Sequence, residues 1–228
     1  MWTILLDIDG TLIRTNGAGL KAIKITAREL FGTEVELPKV PVHGRTDAGI
    51  LADLFRNQTF PWQSRLPEFF DRYAQNLKVT MKETGGLVYP GVMEFLQRLW
   101  ERKSNGELAI GLLTGNCRLA ALAKIDHFGV SEFIEDFGGF GDVYADRNDV
   151  AASAKAAAAS FLGDSYDAQK MWVIGDTPND IKCGRSIDAR VLAVATGGSS
   201  YDELKELEPD LCVSDLSSAD LVEWLFTC

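Results

Sequence analysis

The sequence predicts an α/β fold: a mostly parallel sheet with helices on both faces, plus an inserted all-helical domain near its start. Three observations predict it. Short apolar runs alternate with helically spaced segments, the pattern of strands joined by helical crossovers. The stretch between the first apolar run (3–8) and the second (108–113) is helically patterned throughout, although one crossover needs only one helix. At 228 residues the chain accommodates one main domain and a smaller insert, because single cores stop growing near ~250 residues.

Taken in order, residues 3–8 form the first predicted strand. In the insert, placed at 17–86, Leu20, Ile23, Ala27, Leu30 and Phe31 share one helical face. Ile50, Leu51, Leu54 and Phe55 share a second, and Leu66, Phe69, Phe70, Tyr73 and Leu77 a third. The main domain then comprises 1–16 and 87–228. Pro90-Gly91 opens a helix whose apolar side carries Val92, Phe95, Leu96, Leu99 and Trp100. A strand at 108–113 follows, then an Ala-rich helix at 149–162, strands at 171–174 and 191–195, and a weaker strand at 211–213. Leu221, Val222, Leu225 and Phe226 mark a last helix.

Hydrophobic residues make up 46% and charged residues 25%, enough for a full core and inconsistent with global disorder. A net charge of −10 without a basic stripe argues against a nucleic-acid partner. A single phosphate can still be bound where a metal ion and a few donors neutralise it locally. Cys117, Cys183, Cys212 and Cys228 are too scattered for a zinc cage or a disulfide framework. Met1 to Leu6 has no basic leader and is cut short by Asp7, so no membrane segment is expected and a cytoplasmic location is.

Asp7-Ile8-Asp9-Gly10-Thr11-Leu12 stands where the first strand ends. Ligands of open parallel sheets bind beyond the carboxyl ends of the strands, so two carboxylates two residues apart face one crevice there. A plain Asx/Gly turn would use the same residue types. Asp176-Thr177-Pro178-Asn179-Asp180 follows another apolar strand. Thr177 suits the N-cap, Pro178 the first helical position and Asp180 the capping box, leaving Asp176 aimed at the crevice. Three acids at one sheet edge repel each other unless a cation joins them, and Mg²⁺ takes such oxygen ligands. Thr114-Gly115-Asn116 ends the strand at 108–113 and opens a helix, where free amides and a hydroxyl suit phosphoryl oxygens as well as an ordinary cap.

On these motifs the chain resembles the haloacid dehalogenase superfamily, and within it the phosphoglycolate-phosphatase-like hydrolases with a helical type-1 cap over a Rossmann-like core. Ala195-Thr196-Gly197-Gly198 extends the resemblance toward the C-terminus. The resemblance implies that Asp7 is a nucleophile forming an aspartyl-phosphate, and that Asp9 protonates the leaving oxygen and then activates water. It also implies Mg²⁺ held by Asp7, the backbone carbonyl of Asp9 and Asp176, with Asp180 as ligand or only as cap. Thr114 and the amides of Gly115 and Asn116 would hold the phosphoryl oxygens beside Gly10. Asp7 is then expected ionised and Asp9 protonated at the first step.

The family's lysine is replaced: Arg147 stands at the comparable place, with Lys155 in reserve. In the insert, His43-Gly44-Arg45-Thr46-Asp47 leads into a helix capped by Thr46 or Asp47. Arg45 and Thr46 are expected to face the substrate, and His43 to be structural. Cys117 sits at a helix start, where a thiol pKa can fall, without an assigned base. The expected activity is hydrolysis of a small soluble phosphate ester. A phosphomutase of the β-phosphoglucomutase type would keep the same acids, and a silent phosphate-binding protein the same fold. Asp9 argues against a dehalogenase. The sequence does not give the substrate or the oligomeric state.

Overall fold

The computed structural model describes residues 1–32 and 42–227. The chain enters on β1 (Trp2–Leu6) and passes through a tight loop to β2 (Ile13–Arg14). It then makes α1 (Ala18–Phe31), α2 (Asp47–Leu54) and α3 (Leu66–Thr84) before returning on β3 (Leu87–Val88). There follow α4 (Val92–Ser104), β4 (Leu108–Leu113), α5 (Arg118–His127), β5 (Gly138–Gly139) and α6 (Arg147–Leu162). The last third carries β6 (Met171–Gly175), α7 (Pro178–Ser186), β7 (Arg190–Val194), α8 (Tyr201–Lys205), β8 (Leu211–Val213) and α9 (Leu221–Thr227).

Among the described residues, six strands form one parallel sheet in the order β5-β4-β1-β6-β7-β8. Strand residues alternate between two buried faces, which is why these runs are continuously apolar. Ile4, Leu6, Ile110, Leu112, Trp172 and Ile174 pack with α4, α5 and α9. Leu5, Ala109, Leu113, Met171 and Val173 pack on the other face with α6 and α7. The Ala-rich stretch of α6 makes that close approach possible: Ala151, Ala154 and Ala158 are fully buried, and Gly139 would drive a Cβ to 2.9 Å from the Ala154 methyl.

β1 lies between β4 and β6, so the chain reverses its direction of travel across the sheet beside β1. The carboxyl ends of these three strands carry Asp7, Thr114 and Asp176, which fixes where a ligand can sit.

The three helices between β2 and β3 do not bury a core alone. Ile23, Phe55, Phe69, Tyr73 and Leu77 join Cys117, Ala120 and Ala123 of α5 in one buried cluster. Each fully buried Phe there contributes about 1.5–3 kcal/mol by the usual area argument. β2 and β3 pair antiparallel, Ile13 with Val88 and Arg14 with Leu87, and so bind the outgoing and returning crossings together.

The expected strands and apolar helices are all present, with differences at short elements. β2, β3, β5 and α8 have no counterpart in the sequence reading; the strands among them are two residues long, too short to show a period. Among the described residues, no helix is long and apolar enough to cross a membrane.

Candidate active site

The loop after β1 is built to put two acids side by side. The amides of Leu12 and Ile13 both donate to Ile8 O, and Gly10 takes φ +89° to close the turn. A Cβ on Gly10 would lie 2.3 Å from Asp176 Oδ2, and one on Gly197 only 1.6 Å from the same oxygen. These two glycines are therefore the walls of a slot for the Asp176 carboxylate, which accepts from Thr11 Oγ1 at 3.2 Å and from the Gly198 amide at 3.3 Å.

Asp7, Asp176 and Asp180 are all buried, and one carboxylate oxygen from each lies within 4.8 Å of the others. Burial first, and then Asp180, push the Asp7 carboxyl well above the usual carboxylate range, while Arg147 pulls it down. Burial and Asp180 likewise raise Asp176 to about 7. Within the protein alone the buried acids thus disfavour one another's charges, the electrostatic setting that a cation among them would relieve.

Asp180 takes the cap that its position suggested and also stands in the acid cluster. It caps α7 with Thr177, accepting from Thr177 N at 3.0 Å and Oγ1 at 2.6 Å. Its other oxygen accepts from Arg147 Nη2. Arg147 begins α6, is 7% exposed and reaches to 3.7 Å from Asp7 Oδ1. Lys155, two turns on, is outside the site: its Nζ donates to Ile187 O at 2.8 Å and faces Asp188.

Beyond β4, Thr114 Oγ1 accepts from Asn116 Nδ2 at 2.8 Å, and the same amide nitrogen donates to Asp9 Oδ2 at 2.7 Å. Lys124 of α5 completes this group. Its Nζ lies 2.5 Å from Asp9 Oδ2 and 2.6 Å from Asn116 Oδ1, and the residue is 4% exposed. Lys124 was missed because a lysine in a helix is normally solvated. The signal is its spacing: three and four residues after the buried Ala121 and Ala120, it falls on the apolar face of α5.

The 42–47 segment is clamped onto the loops after β4 and β5. Asp47 N donates to Gly115 O at 2.7 Å and Ala48 N to Gly141 O at 2.8 Å, while Gly115 approaches Arg45 O too closely for any Cβ (1.9 Å). Thr46 differs from the expected substrate contact: its hydroxyl caps α2 through Gly49 N and donates to Ala145 O, away from the cavity wall. Arg45 does line the cavity, with its guanidinium held by Asp53 at 2.6 Å. His43 lines it too, over Gly198. The Cys117 thiol is pushed up by burial and by Asp47, which outweigh the downward pull of the Ala120 amide in the first turn of α5.

The cavity encloses about 540 Å³. Its floor holds Asp7, Asp9, Thr114, Gly115, Asn116 and Arg147, and its roof is largely apolar, with Leu20, Ile23, Val42 and Ile50 beside Tyr73. An anion entering it meets Arg147 at the floor beside Thr114, Gly115 and Asn116, and has room above for a small leaving group.

Known proteins resemble the chain at this level of detail. Pyrophosphatase PpaX of Listeria monocytogenes serotype 4a (strain HCC23) is 24% identical over 217 residues, covering 94% of this chain and 93% of that protein. Among solved structures, CbbY of Rhodobacter sphaeroides in complex with phosphate superposes with a TM-score of 0.71 at 17% identity, covering 96% of each chain. A β-phosphoglucomutase of Clostridium difficile gives 0.69 at 16% identity, covering 99% of this chain and 97% of the other. The sequence pattern of the haloacid dehalogenase-like hydrolases matches residues 1–188, and with Asp7, Asp176 and Asp180 gathered in one buried cluster beyond the sheet, the chain belongs to that family.

Proposed function

We propose that this hydrolase is a Mg²⁺-dependent phosphatase that cleaves a small phosphate ester through an aspartyl-phosphate on Asp7, with residues 17–86 as a cap over a core of 1–16 and 87–228. The observation that carries the reading is the separation of the two acids of the first loop. Asp7 lies in the buried acid cluster against Arg147, whereas Asp9, two residues on, is held in a different network by Asn116 and Lys124. This separation supports attack by Asp7 and proton transfer by Asp9.

The acid cluster fits Mg²⁺: its donors are all carboxylate oxygens, and burial without a cation disfavours the charges of Asp7 and Asp176. Asp7 and Asp176 would hold it, with Asp180 close by but already engaged by Arg147 and Thr177. When bound, the ion supplies neutralisation of phosphoryl charge and keeps Asp7 ionised.

In the first step an Asp7 oxygen attacks phosphorus, the ester P–O bond breaks, and the leaving oxygen takes a proton from Asp9. In the second, Asp9 takes a proton from water as that water attacks phosphorus, the aspartyl P–O bond breaks, and Asp7 and inorganic phosphate are released. Thr114 and the amides of Gly115 and Asn116, with Arg147, would steady the phosphoryl oxygens through both steps.

The reading is tested by phosphate release from a panel of sugar phosphates, phosphoglycolate, nucleoside monophosphates and pyrophosphate, the last because of the PpaX relatives. Mg²⁺-dependent turnover by the wild type, lost in Asp7→Asn, is expected; near-wild-type turnover by Asp7→Asn defeats the covalent route. Transfer rather than release of phosphate with a sugar monophosphate and a bisphosphate activator would make the protein a mutase.

A further inference from the structure

We propose that Lys124 is a positioning residue for Asp9, setting which of its oxygens faces the leaving group; the inference rests on the role of Asp9 proposed above. A buried ammonium must be paired, and Lys124 has its partners within the site itself: Asp9 Oδ2 at 2.5 Å and Asn116 Oδ1 at 2.6 Å. Lysine only donates, so the Asn116 amide must turn its oxygen to Lys124 and its nitrogen to Asp9 and Thr114. The orientation of Asn116 is thereby dictated by Lys124.

Two donors, Lys124 Nζ and Asn116 Nδ2, then converge on the same oxygen of Asp9. Among the described residues, every side-chain hydrogen bond to the Asp9 carboxyl goes to Oδ2, which leaves Oδ1 for the cavity. The Asp9 side chain is 38% exposed against 5% for Lys124, so the fixed oxygen is the inner one. Asp47, clamped to the first amide of α5 through Cys117 N at 2.8 Å, adds a second carboxylate to the field of Lys124. A loose Asp9 would still satisfy the fold; a fixed one is required for proton delivery within hydrogen-bond reach.

This role has a signature that a purely structural lysine lacks. Loss of Lys124 should harm substrates in proportion to how much their leaving oxygen needs a proton. In Lys124→Met, kcat/KM for phenyl phosphate, whose leaving oxygen is strongly basic, should fall about 10²-fold. For p-nitrophenyl phosphate, a far better leaving group, the fall should be at least about tenfold smaller. Lys124→Gln, which keeps a donor, should recover part of the phenyl phosphate rate. Equal losses on both esters, or no loss on either, overturn the proposal. If neither variant folds by circular dichroism and thermal melting, Lys124 serves the fold and the positioning role is withdrawn. Failure of wild-type protein on both esters with Mg²⁺ instead counts against the phosphatase reading.

Discussion

Arg147 carries two loads, and the choice between them decides what its removal does. It is buried between Asp7 and Asp180, so it offsets repulsion in the acid cluster and also presents a cation to the cavity floor. Arg147→Ala should cut turnover by about 10² to 10³, the usual loss for a preorganised charge-stabilising donor. It should also destabilise the fold by about 3–5 kcal/mol, because the Asp180 carboxylate is left buried without its partner. Arg147→Lys keeps the charge but not the fork, so it should retain part of both. Lys155→Ala should leave turnover within about twofold, since Lys155 pairs with a carbonyl and an exposed acid outside the site. A crippled Lys155→Ala beside an active Arg147→Ala would reverse the assignment. A second residue-scale expectation concerns the cation: Mg²⁺ added to chelator-stripped protein should raise Tm by binding the folded state alone, and less so in Asp176→Asn. An unchanged Tm in wild type would remove Mg²⁺ from the cluster. The acids of this site were legible because a strand end in a parallel sheet is a fixed address. Lys124 and the pairing of Asp180 with Arg147 were not, since they depend on which face of a helix turns inward.

At the scale of elements, the start of α5 is capped by another part of the chain. Cys117, its N-cap residue, offers no side-chain acceptor to its own helix, and the Cys117 amide instead donates to the Asp47 carboxylate of α2 at 2.8 Å. The arrangement is costly for Asp47. Burial raises its carboxyl from 3.8 to about 6, although Lys124 and the Cys117 amide pull it down. The folded chain thus holds that proton more tightly than the unfolded chain. The Asp47 contribution to stability is full below its unfolded value, falls as pH rises, and is lost once pH passes about 6. A shift of that size corresponds to roughly 3 kcal/mol, at about 1.4 kcal/mol per pKa unit. Asp47→Asn keeps an acceptor for the amide and removes the proton, so its stability relative to wild type should improve as pH rises. Urea denaturation of both proteins at about pH 4.5 and about pH 7.5 measures this, and a difference that does not change with pH refutes it. The helix itself was readable from Thr114-Gly115-Asn116, but its cap was not, because the residues that meet there are 70 apart in sequence. Long apolar strands were readable for the opposite reason: their signal is local. The two-residue strands β2, β3 and β5 owe their form to their partners and carry no pattern of their own.

At the scale of the whole molecule, the helices between β2 and β3 are tied to the sheet domain by apolar packing on α5 and by two sets of hydrogen bonds of different mechanical character. One is the pair of crossings. β2 pairs with β3, Asn16 Nδ2 donates to Thr84 O at 3.2 Å, and Thr84 Oγ1 to Thr15 O at 3.0 Å. Asn16, Gly17, Gly85 and Gly86 all have positive φ there, so the backbone is concentrated in conformations that small residues permit. The other is the clamp of Thr46, Asp47 and Ala48 onto Gly115, Cys117, Gly141 and Ala145, made of a few hydrogen bonds at the cavity edge. A rotation about the crossings would leave the two-stranded ribbon paired and break the clamp hydrogen bonds, along with part of the apolar packing on α5. If the cap moves in this way, the amides of Asp47, Ala48 and Cys117 should exchange with solvent much faster than those of β1 and β4 in ligand-free protein. Saturating phosphate with Mg²⁺ should then slow the clamp amides by favouring closure, with smaller protection at 14–17 and 85–88. Gly86→Ala supplies the mechanical control: its new methyl would lie 2.2 Å from Arg14 O, so it should change exchange at the crossings without touching any clamp residue. Clamp amides as slow as the central strands with and without phosphate would mean that the cap does not open there, and that substrate reaches Asp7 by another path.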